Sequence, residues 1–214
     1  MPHKQTNSVY AISRRKRNII LLLFLPAIAL LVLLDNTCIK HKWQSQSPSE
    51  QRLKTYDLEK YHTKSFTVVN VVDGDTLDID IPDGQCEYTR IRLLGIDAPE
   101  KTTASGGMYF AEEATAYARE LALGKTVGIY LDREHETRGK YGRLLAYVKL
   151  SDGGFLNEIL LSEGFAYADL RFGHSFYNKY KQIESRARST EKGLWQNVTP
   201  DQMPQWLQQR KEAF

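Results

Sequence analysis

Hydrophobic and polar positions divide the chain into three regimes. The first is Ile19–Leu34, which reads IILLLFLPAIALLVLL without a polar side chain. At helical rise this run reaches about 24 Å, a little short of a hydrocarbon core of roughly 30 Å. Residues 40–64 are polar, with Gln, Ser, Lys and His, and read as a linker or a loosely held helix. From Phe66 the pattern turns to short strands. Thr67–Val72 is β-branched and rich in valine, and Thr76–Ile81 alternates Leu77, Ile79 and Ile81 against Asp78 and Asp80 on a solvent face. After the turn signal Pro82-Asp83-Gly84, Tyr88–Ile96 forms a third strand, with Thr126–Leu131 and Leu144–Leu150 as two more. Between the third and fourth, Ala111, Ala114, Ala118 and Leu121 recur at helical spacing and Gly124 supplies the stop. Phe155–Glu163 ends at Gly164 in the same way, and Ser175 caps a helix on which Phe176, Tyr180, Ile183 and Ala187 share a face. Three strands, a helix, two strands and two helices predict an α+β domain built on a small Greek-key barrel rather than a parallel sheet.

Charge sharpens the domain organisation. The formal net charge is +3, yet Lys4, Arg14, Arg15, Lys16 and Arg17 carry five positive charges before any acid occurs, so the rest of the chain is net acidic by two. The basicity is a feature of the N-terminal tail and gives no nucleic-acid footprint on the domain. A basic cluster before an apolar run predicts a cytoplasmic N-terminus and an exported remainder. The expected organisation is a basic tail over 1–18, a transmembrane signal anchor over 19–36, a polar linker over 37–64, the domain over 65–197 and a tail over 198–214. The rival is a cleaved signal at Ala27-Ile28-Ala29, which would release a secreted protein. Either way the domain lies on the exported side, periplasmic or extracellular. Of the two cysteines only Cys86 falls within the domain, so no bridge forms inside it, and a hydrophobic content of 42% excludes a disordered chain.

Three clusters carry chemistry. Asp73-Gly74-Asp75-Thr76 sets two carboxylates around a glycine at a strand junction, which suits a hard cation or, equally, a hairpin turn with exposed acids. In Arg92-Leu93-Leu94-Gly95-Ile96-Asp97-Ala98-Pro99-Glu100, strand alternation places Arg92 among apolar neighbours, where it needs an anionic partner or ligand. Asp97 and Glu100 leave the strand around Pro99; one can hold a metal while the other serves as general base, or they form a structural Arg–carboxylate pair. In Lys140-Tyr141-Gly142-Arg143 a guanidinium that forks onto phosphate oxygens stands beside a glycine that admits close approach, although a surface arginine is the plainer reading. Taken together, acids for a metal, a spare carboxylate and two arginines are the inventory for phosphodiester hydrolysis.

The ordered motifs DGDT, RLLGIDAPE, YGRLLAYV and LNEILLSEGFA, spread over Phe66–Trp195, resemble the staphylococcal nuclease (thermonuclease) family. The resemblance implies a five-stranded OB-type barrel with three helices, and hydrolysis of DNA and RNA with one Ca2+ ion. It implies that Asp75 and Asp97 bind the metal with the carbonyl of Ala98, that Glu100 is the general base, and that Arg92 and Arg143 stabilise the transition state. Asp73 matches an acid standing behind the metal, and Lys140 and Tyr141 lie beside the phosphate-facing arginine. Three positions depart from the family pattern. Gly139 replaces an Asp, and Leu170 and Phe172 replace tyrosines near the nucleotide, which points to an altered base pocket around an intact catalytic set. The expected partners are a nucleic-acid substrate and, through residues 19–36, a membrane, with the protein a monomer. The alternative is a membrane-tethered OB-fold module that binds nucleic acid without cutting it; such modules lose the acids and arginines that are present here.

Overall fold

A computed structural model describes residues 47–103 and 106–209. The expected anchor over 19–36, the basic tail before it and Cys38 lie outside the described residues. Among those described, no helix is long and apolar enough to cross a membrane.

The core is a closed five-stranded barrel of β1 (Lys64–Val71), β2 (Thr76–Ile79), β3 (Thr89–Leu93), β5 (Thr126–Tyr130) and β6 (Leu144–Lys149). Neighbours run β1-β2-β3-β6-β5 and back to β1, antiparallel except for the parallel β3–β6 pair. Closure removes the sheet edges that five short strands would otherwise expose. Inward positions are apolar: Val68, Val71, Leu77, Ile79, Ile91, Leu93, Val127, Ile129, Leu144, Ala146 and Val148 are all buried. Val68 and Val71 both face inward although three residues apart, because β1 shifts register between Val68 and Asn70. Three helices, α2 (Ala111–Ala122), α3 (Leu156–Ser162) and α4 (Tyr177–Ser189), pack outside the barrel. The expected five-stranded α+β barrel with three helices is therefore the fold observed.

Four details differ from the sequence expectation, each for a local reason. The third strand does not run to Ile96. It stops at Leu93, Gly95 takes φ +78°, and Ile96–Asp97 restarts as a short strand, β4, paired with β7 (Tyr167–Ala168). Gly95 suits this break twice over, since a Cβ there would lie 2.4 Å from His174 Cε1. Second, part of the polar stretch forms a regular helix, α1 (Pro48–Tyr61). It lacks an apolar stripe; Tyr61 is buried with its hydroxyl on Thr89 Oγ1, and Asp57 is buried against Arg138. Third, Asp78 does not face solvent but is buried beneath Arg90, which donates to both its oxygens at 2.8 and 3.0 Å. Fourth, Ser175 does not cap α4; its N–H and hydroxyl both donate to Asp132, and Phe176 stands at the cap without a side-chain bond.

Buried polar groups fix the loops that matter later. Asn157, at the start of α3, accepts from Val148 N–H and donates to the carbonyls of Leu94 and Ala146, pinning the end of β3 to β6. Arg138 donates to Asp57, to Asp83 and to the carbonyl of Gly142, so it ties α1 and the β2–β3 connection to the loop before Arg143. The loop over residues 133–138 thus carries a half-buried clamp at its end.

Candidate active site

The DGDT turn joins β1 to β2, and its geometry follows from one glycine and two backbone bonds. A Cβ on Gly74 would meet Ala98 Cβ at 2.6 Å and Ala114 Cβ at 3.1 Å, so only glycine lets this turn approach α2 and the segment after β4. Asp75 N–H donates to Asp73 Oδ1 at 3.0 Å, and the Asp75 carbonyl accepts from Leu93 N–H at 2.8 Å. The Asp75 side chain is then buried, with Oδ2 accepting from Ala98 N–H at 2.6 Å and Oδ1 from the Thr76 hydroxyl at 3.1 Å.

Arg92 leaves β3 toward the same point and joins the two acids. Its Nη1 pairs with Asp75 Oδ1 and its Nη2 with Asp97 Oδ1 at 2.5 Å. The Arg–carboxylate pair weighed above is therefore present, as a guanidinium bridging two carboxylates. Arg143 enters at the start of β6, with Nη1 3.4 Å from Thr76 Oγ1. Glu100, just beyond Pro99, is exposed, while its backbone carbonyl is fixed by Met108 N–H at 2.8 Å. Partial desolvation by surrounding atoms pushes the Glu100 carboxyl above its ordinary pKa although the residue reaches solvent, the charges of Asp73 and Asp97 add to this, and Arg92 and Arg143 oppose it. Asp73 is likewise raised, first by burial, against the pull of Arg92 and Arg143. The acids at 73, 75, 97 and 100 and the arginines at 92 and 143 thus share one electrostatic neighbourhood. Tyr141 is 77% exposed, with the Lys140 ammonium 5.6 Å and the Arg143 guanidinium 5.9 Å from its ring centroid. Among the described contacts Lys140 is brought to Tyr141 and not to the acids.

Whether these residues suit a metal is decided by donor chemistry. Among the described residues no group of three or more His, Cys, Asp or Glu side chains is placed to hold an ion. The direct candidates are two carboxylates, Asp75 and Asp97, beside the backbone of Ala98. An oxygen-only set of this kind fits a hard cation, whose remaining positions backbone, water and a phosphate oxygen would fill. It does not fit zinc, which favours nitrogen and sulfur. The balance of charge agrees, since four acids face Arg92 and Arg143, while Arg171 beside Asp97 is itself paired with Asp169.

Two residues near Asp97 escaped the sequence reading. Trp206, in the short helix α5 (Gln205–Gln208), donates its indole N–H to Asp97 Oδ2 at 2.7 Å. Arg171 Nη2 lies 3.4 Å from the same oxygen. A contact spanning 109 residues has no local signature in the sequence.

Comparison with known proteins follows the same residues. The family described as Staphylococcal nuclease homologue matches residues 90–197, half of the chain. A thermonuclease of Staphylococcus hyicus is 30% identical over 146 residues, covering 67% of this chain and 83% of that protein. A thermonuclease of Staphylococcus intermedius is 35% identical over 141 residues, covering 62% and 77%. An uncharacterized endonuclease of Escherichia coli O157:H7 is 33% identical over 147 residues, covering 65% and 81%. With the barrel, the acid–arginine cluster and these relatives in agreement, the chain belongs to the staphylococcal nuclease homologue family and is a nuclease.

Proposed function

We infer that the protein is a Ca2+-dependent nuclease that hydrolyses phosphodiester bonds of DNA or RNA. The observation that carries the reading is the charge of the cluster: Asp73, Asp75, Asp97 and Glu100 against Arg92 and Arg143. A phosphodiester is an anion, and an acid-rich pocket accepts one only when a cation joins it. Asp75 and Asp97 would hold that ion with the Ala98 carbonyl, and Asp73 would add negative charge behind it. The chemistry the ion supplies when bound is charge neutralisation at a non-bridging phosphate oxygen.

The remaining steps belong to side chains. Arg92 pairs with both Asp75 and Asp97 here, and once those carboxylates held an ion its guanidinium would be released to bind the substrate. Arg92 and Arg143 then donate to the equatorial oxygens, where charge accumulates in the transition state. Glu100 is exposed and its carboxyl is raised, which suits a group that takes a proton from an attacking water. Tyr141 and Lys140 flank Arg143 on the solvent side and would contact phosphates along the strand. The test is cleavage of DNA and RNA by the full chain with Ca2+, with Mg2+ and with chelator. Cutting that chelator stops and added Ca2+ restores is expected; undiminished cutting in chelator would overturn metal dependence.

The tether belongs to the same proposal. The apolar run Ile19–Leu34 after Arg14–Arg17 supports a single-pass protein with a cytoplasmic N-terminus and an exported, monomeric nuclease domain. Extraction by detergent but not by alkaline carbonate is expected. Recovery of a soluble chain that begins after Ala29 would show a cleaved signal instead.

A further inference from the structure

The two oxygens of Asp97 face different partners. Oδ1 takes Arg92, whereas Oδ2 accepts the Trp206 indole N–H at 2.7 Å. Arg171 backs this contact, with its guanidinium 4.6 Å from the Trp206 ring centroid and held in place by Asp169 at 2.8 and 2.9 Å. An indole N–H donates without carrying charge and does not titrate. It can therefore fix the plane of the carboxylate without adding to the positive charge that Arg92 and Arg171, whose Nη2 lies 3.4 Å from Oδ2, already bring to Asp97.

Trp206 reaches this position through a small apolar cluster separate from the barrel core. Tyr167, Ala187, Leu194, Trp195 and Met203 are buried together, and Trp206 and Leu207 pack against them. Tyr167 is also the register partner of Asp97 in the β4–β7 ladder. The cluster that secures the C-terminal segment is thus built on the strand next to Asp97.

We propose that Trp206 is a positioning residue for Asp97, and that the C-terminal segment through α5 is part of the active site. The proposal rests on the reading of Asp97 as a metal ligand. Outer hydrogen-bond partners of ligating groups commonly contribute ten- to hundredfold in metal affinity, and a loss of about that size is expected here.

The experiment is calorimetric titration of the full chain, in detergent, with Ca2+ alone, comparing wild type, Trp206→Phe and Asp97→Asn. Phenylalanine keeps an aromatic ring in the apolar cluster and removes only the donor. Weakening by about tenfold or more in Trp206→Phe, together with loss of binding in Asp97→Asn, is the expected result. Wild-type affinity in Trp206→Phe with loss in Asp97→Asn would overturn the positioning role alone. Wild-type affinity in both would overturn the assignment of Asp97 and the proposal with it. A second readout is taken on the wild-type protein, with the variant serving only to assign the resonance. In wild type, the indole N–H resonance absent from the Trp206→Phe spectrum should move during the titration, while that of Trp195 stays fixed. A Trp206 resonance as still as that of Trp195 would contradict the proposal.

Discussion

Asp132 shows how one buried side chain sets the acid limit of the domain. It is 2% exposed and accepts from Ser175 N–H, Glu134 N–H, the Ser175 hydroxyl and the Tyr147 hydroxyl, with His135 Nδ1 3.2 Å away. Burial alone would raise its pKa, but these donors outweigh it and hold the carboxyl well below the usual range. The group is therefore charged in the fold and protonates more readily in the unfolded chain. Its stabilisation is complete above about pH 5 and is lost progressively as pH falls through the folded value. His174, lowered first by burial, is neutral in the fold and loses its contribution as pH drops below about 6.5. Urea unfolding of Asp132→Asn should show a lower midpoint than wild type at pH 7, with the gap closing as pH falls toward about 3. A constant gap across that range would contradict the assignment. At the same scale, Arg143→Ala should slow single-turnover cleavage a hundredfold or more, since one transition-state donor is worth about 3–4 kcal/mol. Arg92 was legible in sequence because a charge inside a strand pattern demands a partner, whereas the acids and Arg143 were singled out by their combination and by the resemblance of the ordered motifs. Trp206 was not, because its partner lies across the whole domain.

At the scale of elements, junctions decide where the side chains stand. The turn from β3 to β4 carries Asp97, and Gly95 makes it with φ +78° directly against the His174 ring. Gly95→Ala brings both backbone strain and a collision, so a loss of about 2–4 kcal/mol is expected in urea unfolding, with weaker Ca2+ binding as Asp97 shifts. An unchanged midpoint would mean that the turn relaxes freely. Arg138 does similar work for the loop before Arg143. Its side chain is 13% exposed and serves two acids, Asp57 and Asp83. Arg138→Met leaves both without their cation, and a loss of about 3–5 kcal/mol is expected by the same measurement. The alternating strands and the alanine-faced helix α2 were readable from periodicity, as was the stop at Gly124. Helix α1 was left open between a linker and a loosely held helix, since its buried anchors, Asp57 and Tyr61, make no repeating stripe. The early end of β3 was half visible: Gly95 was in view, but only the fold reveals that His174 occupies the space of its missing Cβ.

At the scale of the whole molecule, charge is partitioned. Five basic residues unbalanced by any acid lie in the N-terminal tail, and the remainder is net acidic by two. A domain of that sign suits the proposed local grip by a cation and a few arginines better than a broad basic surface, and its nucleic-acid binding should then weaken less with salt than that of a basic binder. Three of the four motifs reach one site because the β1–β2 turn, the β3–β4 turn and the start of β6 come together there, while the fourth forms α3. Their order made the family legible, whereas the closing contribution of the C-terminal segment emerges only once β7 brings Tyr167 beside Asp97. The central claim is that this site performs metal-assisted hydrolysis with Glu100 as its base. The most direct measurement is single-turnover cleavage of a labelled oligonucleotide in saturating Ca2+ by wild type and Glu100→Gln, with Ca2+ and oligonucleotide binding measured on the same samples. The account predicts a rate reduced a hundredfold or more with binding of both ligands retained. A Glu100→Gln protein that cuts at the wild-type rate would contradict it.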